Sequence, residues 1–311
     1  MTEKRKNLTR RSFFAASAFS AATLTLIGST FGNAAADLKR YEPNLRDRLW
    51  MWGHGPGTTD NLYNIPKGKK IDMADAIDYM GIPNVYVIRW EGKPEPPFDE
   101  YIKQFRKTKR VGWSIIDGAK QSYEQKKQWA FELFDKMPNL IDLNLDDFFH
   151  GLGPKEGETV FPAGLTLKQL EELKKEMNAV ERKPNLSVVL YTGGKHGQLH
   201  PSIKKHLDYC DVVLFWTWHA TDLVGLEDNF KKYREIMPDK QTLLGLYMWD
   251  FGNAKPITME LMKHQLTFAL EKFKQGQIDG MIFHCTPLVD TGLEAVEYSK
   301  KWIAEYGDIT R

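Results

Sequence analysis

The sequence predicts a single-domain (β/α)8 TIM barrel, and three observations predict it. From Arg46 onward short apolar runs alternate with amphipathic helical stretches, and the runs number eight. Neither a G-x-G-x-x-G turn nor a Walker sequence follows an early strand, which a doubly wound open sheet, the runner-up, would favour. His54-Gly55-Pro56-Gly57-Thr58 is glycine-rich but lacks the lysine and the helix start of a phosphate loop.

The predicted strands are Leu49–Gly53, Asn84–Arg89, Val111–Ile116, Leu140–Asp146, Ser187–Tyr191, Asp211–Thr217, Thr242–Met248 and Gly280–Phe283. Most are rich in Val, Ile, Leu and aromatics, as strands covered on both faces must be. The helical stretches between them are Ile71–Met80, Phe98–Lys107, Tyr123–Met137, Thr166–Val180, Pro201–Leu207, Leu226–Ile236 and Thr258–Gln275, and Gly292–Tyr306 closes the chain. Thr166 suits a helix cap, because its hydroxyl can accept from a first-turn N–H. The longest insertions, His54–Lys70 and Phe149–Leu165, both lie on strand-to-helix connections, the end of a barrel where active sites are built.

Ahead of the barrel, residues 1–36 read as a twin-arginine export signal and 37–311 as the barrel domain. Lys4, Arg5, Lys6, Arg10 and Arg11 form a positive start, and an apolar stretch with Ser, Thr and Gly runs from Phe13 to Phe31. Ala34-Ala35-Ala36 fits the small-residue cleavage rule. Thr9-Arg10-Arg11-Ser12-Phe13-Phe14 resembles the twin-arginine motif, an address and not an anchor. The expected location is therefore periplasmic or secreted, with no membrane anchor. The signal holds five of the 43 Lys and Arg and one of the 41 Asp and Glu, leaving 38 against 40. The apparent basicity belongs to the leader, and no clustered basic face suggests nucleic acid. Cys210 and Cys285 fall at opposite ends of their strands, too far apart to bond, and read as buried thiols.

Candidate site residues are those at the C-terminal strand ends. The first strand ends in Trp52, Gly53 and His54, and the second in Arg89, Trp90 and Glu91. The third ends in Ile116-Asp117, the fourth in Asp146 and Asp147, and the fifth in Tyr191. The sixth ends in Trp216, Thr217, Trp218 and His219, the seventh in Tyr247, Met248, Trp249 and Asp250, and the eighth in His284. In Ile141-Asp142-Leu143-Asn144-Leu145-Asp146 period two turns Asp142, Asn144 and Asp146 inward. Asp142 and Asn144, deep in the barrel, suit a buried network, whereas Asp146 and Asp147 at the mouth suit function. Asp250 is the expected partner, since two carboxylates across a pocket can divide acid and base work. Seven tryptophans fall in or just after strands, and about half are expected to offer flat platforms for sugar rings. His54, His219 and His284 with Asp147 or Asp250 could hold a transition metal. Neither H-x-H nor H-E-x-x-H spacing is present, so no cofactor is expected and the histidines, with Arg89, are read as substrate-binding. No G-x-S-x-G elbow supports a serine nucleophile.

Leu143-Asn144-Leu145-Asp146-Asp147-Phe148-Phe149 resembles the fourth strand of glycoside-hydrolase-type TIM barrels, and the stretches Leu246–Asn253 and Gly280–His284 look like those of uncharacterised exported bacterial barrel proteins. The resemblance implies a catalytic acid at the end of the fourth strand and a second on a later one. The sequence departs from chitinase-like barrels in having no Glu directly after the fourth strand, and it lacks the Asn-Glu pair of the largest clan. The first expectation is thus an exported glycan-active hydrolase. In it Asp146 or Asp147 is nucleophile or base and Asp250 the acid, with Trp52, Trp90, Trp216, Trp218, Trp249, Tyr191 and Tyr247 around a carbohydrate. Two alternatives remain: a non-catalytic carbohydrate-binding barrel, and a metal-dependent ester or phosphodiester hydrolase.

Overall fold

The computed structural model describes residues 44–116, 121–193 and 197–311. The export-signal segment and Asp117 lie outside these residues. Eight parallel strands close a barrel in chain order: β1 Leu49–Gly53, β2 Asn84–Val87, β3 Arg110–Ile116, β4 Leu140–Leu145, β5 Asn185–Thr192, β6 Val212–Thr217, β7 Gln241–Tyr247 and β8 Gly280–His284. The ring closes through β1, where Trp52 pairs with Tyr86 on one side and His284 on the other.

The helices are α1 Met73–Met80, α2 Tyr123–Lys136, α3 Leu167–Ala179, α4 Lys204–Leu207, α5 Leu226–Ile236, α6 Met259–Lys274 and α7 Glu294–Tyr306. Their starts are chemically specified. Ser122, Thr166 and Thr258 each accept from a backbone N–H three residues on, and Thr166 with Gln169 completes a capping box. Two expected helices differ. The Phe98–Lys107 stretch forms a 3-10 helix over Tyr101–Lys107 that buries Phe105. The Pro201–Leu207 stretch divides into a 3-10 turn, Pro201–Ile203, and the short α4; His200 accepts from Ser202 N and starts the turn.

Outward residues of the strands pack under the helices. Trp113 meets Phe98 and Tyr101, and Phe215 meets Phe230 and Tyr233. The interior is filled by large rings, and two glycines make room for them. A Cβ at Gly112 would lie 2.3 Å from the Tyr86 ring, and one at Gly245 would lie 2.0 Å from the Trp216 ring. Trp50 packs on Tyr86 with centroids 4.7 Å apart. Beside these rings Ser187 Oγ donates to Asp142 Oδ1 at 2.5 Å and accepts from Asn144 Nδ2 at 3.0 Å. Burial pushes the Asp142 carboxyl well above the usual carboxylate range, while the Ser187 bond opposes this. A neutral acid is the state this dry interior favours.

Cys210 and Cys285 are buried free thiols, one ahead of β6 and one just after β8. Burial pushes the Cys210 thiol up to about 12.

Candidate functional site

The strand alternation that fills the barrel also builds its mouth. Trp52 on β1 and His54 just after it, Asp146 after β4, Tyr191 on β5, Trp216 and Trp218 from β6, Tyr247 on β7 and His284 on β8 all turn into one cavity of about 360 Å3. Trp90 and Asp147 line it as well. That volume lies at the lower end of small-molecule sites.

Eight aromatic side chains form most of the wall. Four of them surround His284: Phe251 at 4.5 Å between ring centroids, Tyr247 at 4.9 Å, Trp216 at 5.6 Å and Trp52, stacked, at 6.2 Å. His54 stands 5.9 Å from His284 and 5.8 Å from Trp90. Burial lowers the His54 pKa to about 4. Burial, and then the neighbouring His54, lowers that of His284 well below the ordinary value. Both imidazoles are therefore neutral near neutral pH and act as hydrogen-bonding groups.

The acidic edge comes from the turn after β4. Asp147 has φ +45°, in the left-handed region a side chain enters at a cost, and Asp146 Oδ1 accepts its N–H at 2.9 Å. At the edge of the cavity Tyr191 Oη donates to Asp147 Oδ1 at 3.0 Å. Burial pushes both Tyr191 and Tyr247 well above the usual phenol range, and the nearby carboxylates reinforce the shift. The cavity thus sets two protonated phenols and two neutral imidazoles around an acidic edge.

Four expected site residues stand elsewhere. Asp250 is buried outside the cavity and bridges two loops. Its Oδ1 accepts from Ala220 N and Asn253 N, both at 3.2 Å, and its Oδ2 accepts from Asn253 Nδ2 at 2.8 Å. It caps the turn Phe251–Asn253 and so stands apart from the cavity in which the partner acid was expected. Arg89 follows the outward phase of β2. Its guanidinium lies 4.9 Å over the Trp129 ring, and it donates to Gly92 O and Pro94 O, holding the loop after β2. His219 packs against Gly252, and Trp249 donates from Nε1 to Tyr63 O at 3.1 Å. Of the seven strand tryptophans, Trp52, Trp90, Trp216 and Trp218 line the cavity. No group of three or more His, Cys, Asp or Glu side chains among the described residues is arranged to hold a metal ion.

The loop after β1 supplies four lining residues not singled out from the sequence: Thr58, Thr59, Leu62 and Tyr63. Phe251 is a fifth. The loop's length, already noticeable in the sequence, was the available signal for the first four. Its path is pinned by Asn64 Nδ2 donating to Ala254 O and Asp290 Oδ2 accepting from Ile71 N.

No protein-family model matches the chain, and no curated protein sequence matches it. Solved structures do. The catalytic domain of a hyperthermophilic chitinase from Pyrococcus furiosus is 14% identical, with 86% of this chain and 99% of that one covered and a TM-score of 0.56. Catalytic-site mutants of that enzyme's active domain 2, complexed with chito-oligosaccharides, give 14% identity, the same coverage and a TM-score of 0.54. A Group IV chitinase from Ostrinia furnacalis in complex with allosamidin gives 11%, 85% and 100% coverage, and a TM-score of 0.51. At these identities the likeness establishes a shared barrel fold.

Proposed function

We propose that this chain is a glycoside hydrolase of chitinase-like architecture, working on a carbohydrate in the cavity at the C-terminal end of its barrel. One observation carries the reading: the β4 strand delivers Asp146 and Asp147 into a cavity walled by aromatic rings. Flat apolar rings suit the C–H faces of a sugar, and a carboxyl at the same site can work on the glycosidic oxygen. The similarity to chitinase barrels supports the same reading.

The chemistry follows from the placement. With Asp250 outside the cavity, the carboxylates among the described lining residues stand on one side. Asp146 gives its proton to the glycosidic oxygen as the C1–O bond breaks, and water then bonds to C1 and returns a proton to Asp146. Tyr191 and Tyr247, held as phenols, donate hydrogen bonds to the substrate oxygens, and Tyr191 steadies Asp147. Arg10 and Arg11 support a setting outside the cytoplasm.

A second reading, a non-catalytic carbohydrate-binding barrel, is favoured by the absence of a facing carboxylate among the described lining residues. Release of reducing ends from neutral, amino and acidic oligosaccharides separates the two. The hydrolase reading expects product from at least one, and a loss of about 10²–10⁴-fold in Asp146→Asn. Undiminished turnover in both Asp146→Asn and Asp147→Asn would overturn it, and binding without product would transfer the case to the second reading.

A further inference from the structure

The charge around the cavity narrows the class of sugar. Among the described residues lining it there is no Lys or Arg, and the acidic groups are Asp146 and Asp147. Arg89, adjacent in sequence to the lining Trp90, is turned to the far side of β2 and bound to Gly92 O and Pro94 O. Asp147 is exposed, and the group that donates to it at 3.0 Å is a phenol, which brings no positive charge. The imidazoles bring none either, since burial keeps His54 and His284 neutral.

Against this acidic edge stands a wall of π faces. Trp52 and Trp216 meet edge to face at 5.6 Å, and Trp218 stands 5.8 Å from Tyr247 and 6.1 Å from Tyr191. Ring faces carry negative potential and attract a cation within about 6 Å, the more so when it is desolvated. A cavity lined by one sign of charge with low-dielectric walls concentrates the field at its mouth. The described lining therefore repels an anionic sugar, tolerates a neutral one and draws in a cationic one.

We infer that the mouth cavity selects glycans carrying a protonated amine, hexosamine units without an acetyl group, with Asp147 as counter-ion and the tryptophan faces as platform. The inference rests on the glycan reading and narrows it. It makes Asp147 a specificity residue, distinct from Asp146 at the bond that breaks.

Calorimetric titration of the full chain with three oligomers of matched length tests this: glucosamine, N-acetylglucosamine and galacturonate, at mildly acidic pH and at low and raised salt. The glucosamine oligomer is expected to bind at least about tenfold more tightly than the acetylated one, with an advantage that shrinks as salt screens the pair. The galacturonate oligomer is expected to be the weakest. Asp147→Asn should abolish most of the amine preference, bringing the affinities for the glucosamine and acetylated oligomers to within about twofold of each other. Equal or tighter binding of the acetylated oligomer overturns the inference and leaves the glycan reading standing. Tighter binding of galacturonate does the same. Failure of all three to bind brings down both.

Discussion

Replacing His54 by Gln should make the protein less sensitive to acid, and the size of the effect can be worked from its burial. The imidazole is 9% exposed, and desolvation lowers its pKa from 6.5 to about 4. The unfolded chain therefore takes up the proton first as pH falls. The stabilising contribution of neutral His54 is fully present above about pH 6.5 and is lost progressively down to about pH 4. At about 1.4 kcal/mol per pKa unit, the shift corresponds to about 3 kcal/mol. With a urea slope of about 3 kcal/mol/M, this is about 1 M in midpoint. Urea melts of the two proteins between about pH 7.5 and about pH 4 read the difference directly. The wild-type midpoint should fall about 1 M further than that of His54→Gln. His206, packed between Phe148 and Phe149 and also lowered to about 4, loses stability in the same window in both proteins and cancels. His284 does not fully cancel, because His54 contributes to its lowering. Parallel acid curves for wild type and His54→Gln would refute the reasoning.

Other perturbations probe separate parts of the structure. Gly245→Ala places a Cβ 2.0 Å from the Trp216 ring, so it should cost about 1–3 kcal/mol in denaturant melts and weaken glycan binding by displacing a cavity wall. Asp250→Ala leaves the N–H groups of Ala220 and Asn253 without their acceptor. It should lower stability by about 1–3 kcal/mol while turnover per folded molecule stays near wild type, read by melts beside the reducing-end assay. Arg10→Lys with Arg11→Lys should retain the protein in the cytoplasm, checked by cell fractionation.

Much of the barrel was legible in the sequence because buried strands must be apolar and must alternate. Asp142 and Asn144 share the inward face of β4, and Asp146 just beyond it continues that phase into the cavity, for the same reason that Leu143 and Leu145 pack beneath helices. The same alternation, carried along β2 from Tyr86, turns Arg89 outward, so its absence from the cavity was readable in principle. Asp250 was not readable in this way. β7 ends at Tyr247, and beyond it the chain follows the capped turn Phe251–Asn253, whose partner Ala220 is distant in sequence. The wall formed by Thr58, Thr59, Leu62 and Tyr63 was hidden for a related reason. Its course depends on long-range bonds from Trp249 and Asn64, and on left-handed backbone at Asn61, Tyr63 and Asn64. Local propensity specifies none of these.

The most direct test of the central claim is a crystal structure of Asp146→Asn soaked with a hexosamine oligomer. The account predicts a sugar ring stacked on Trp52 or Trp216, with a glycosidic oxygen within hydrogen-bond reach of residue 146. A glycan seated in the groove beside Pro97 and Trp129, with the barrel mouth empty, would contradict it.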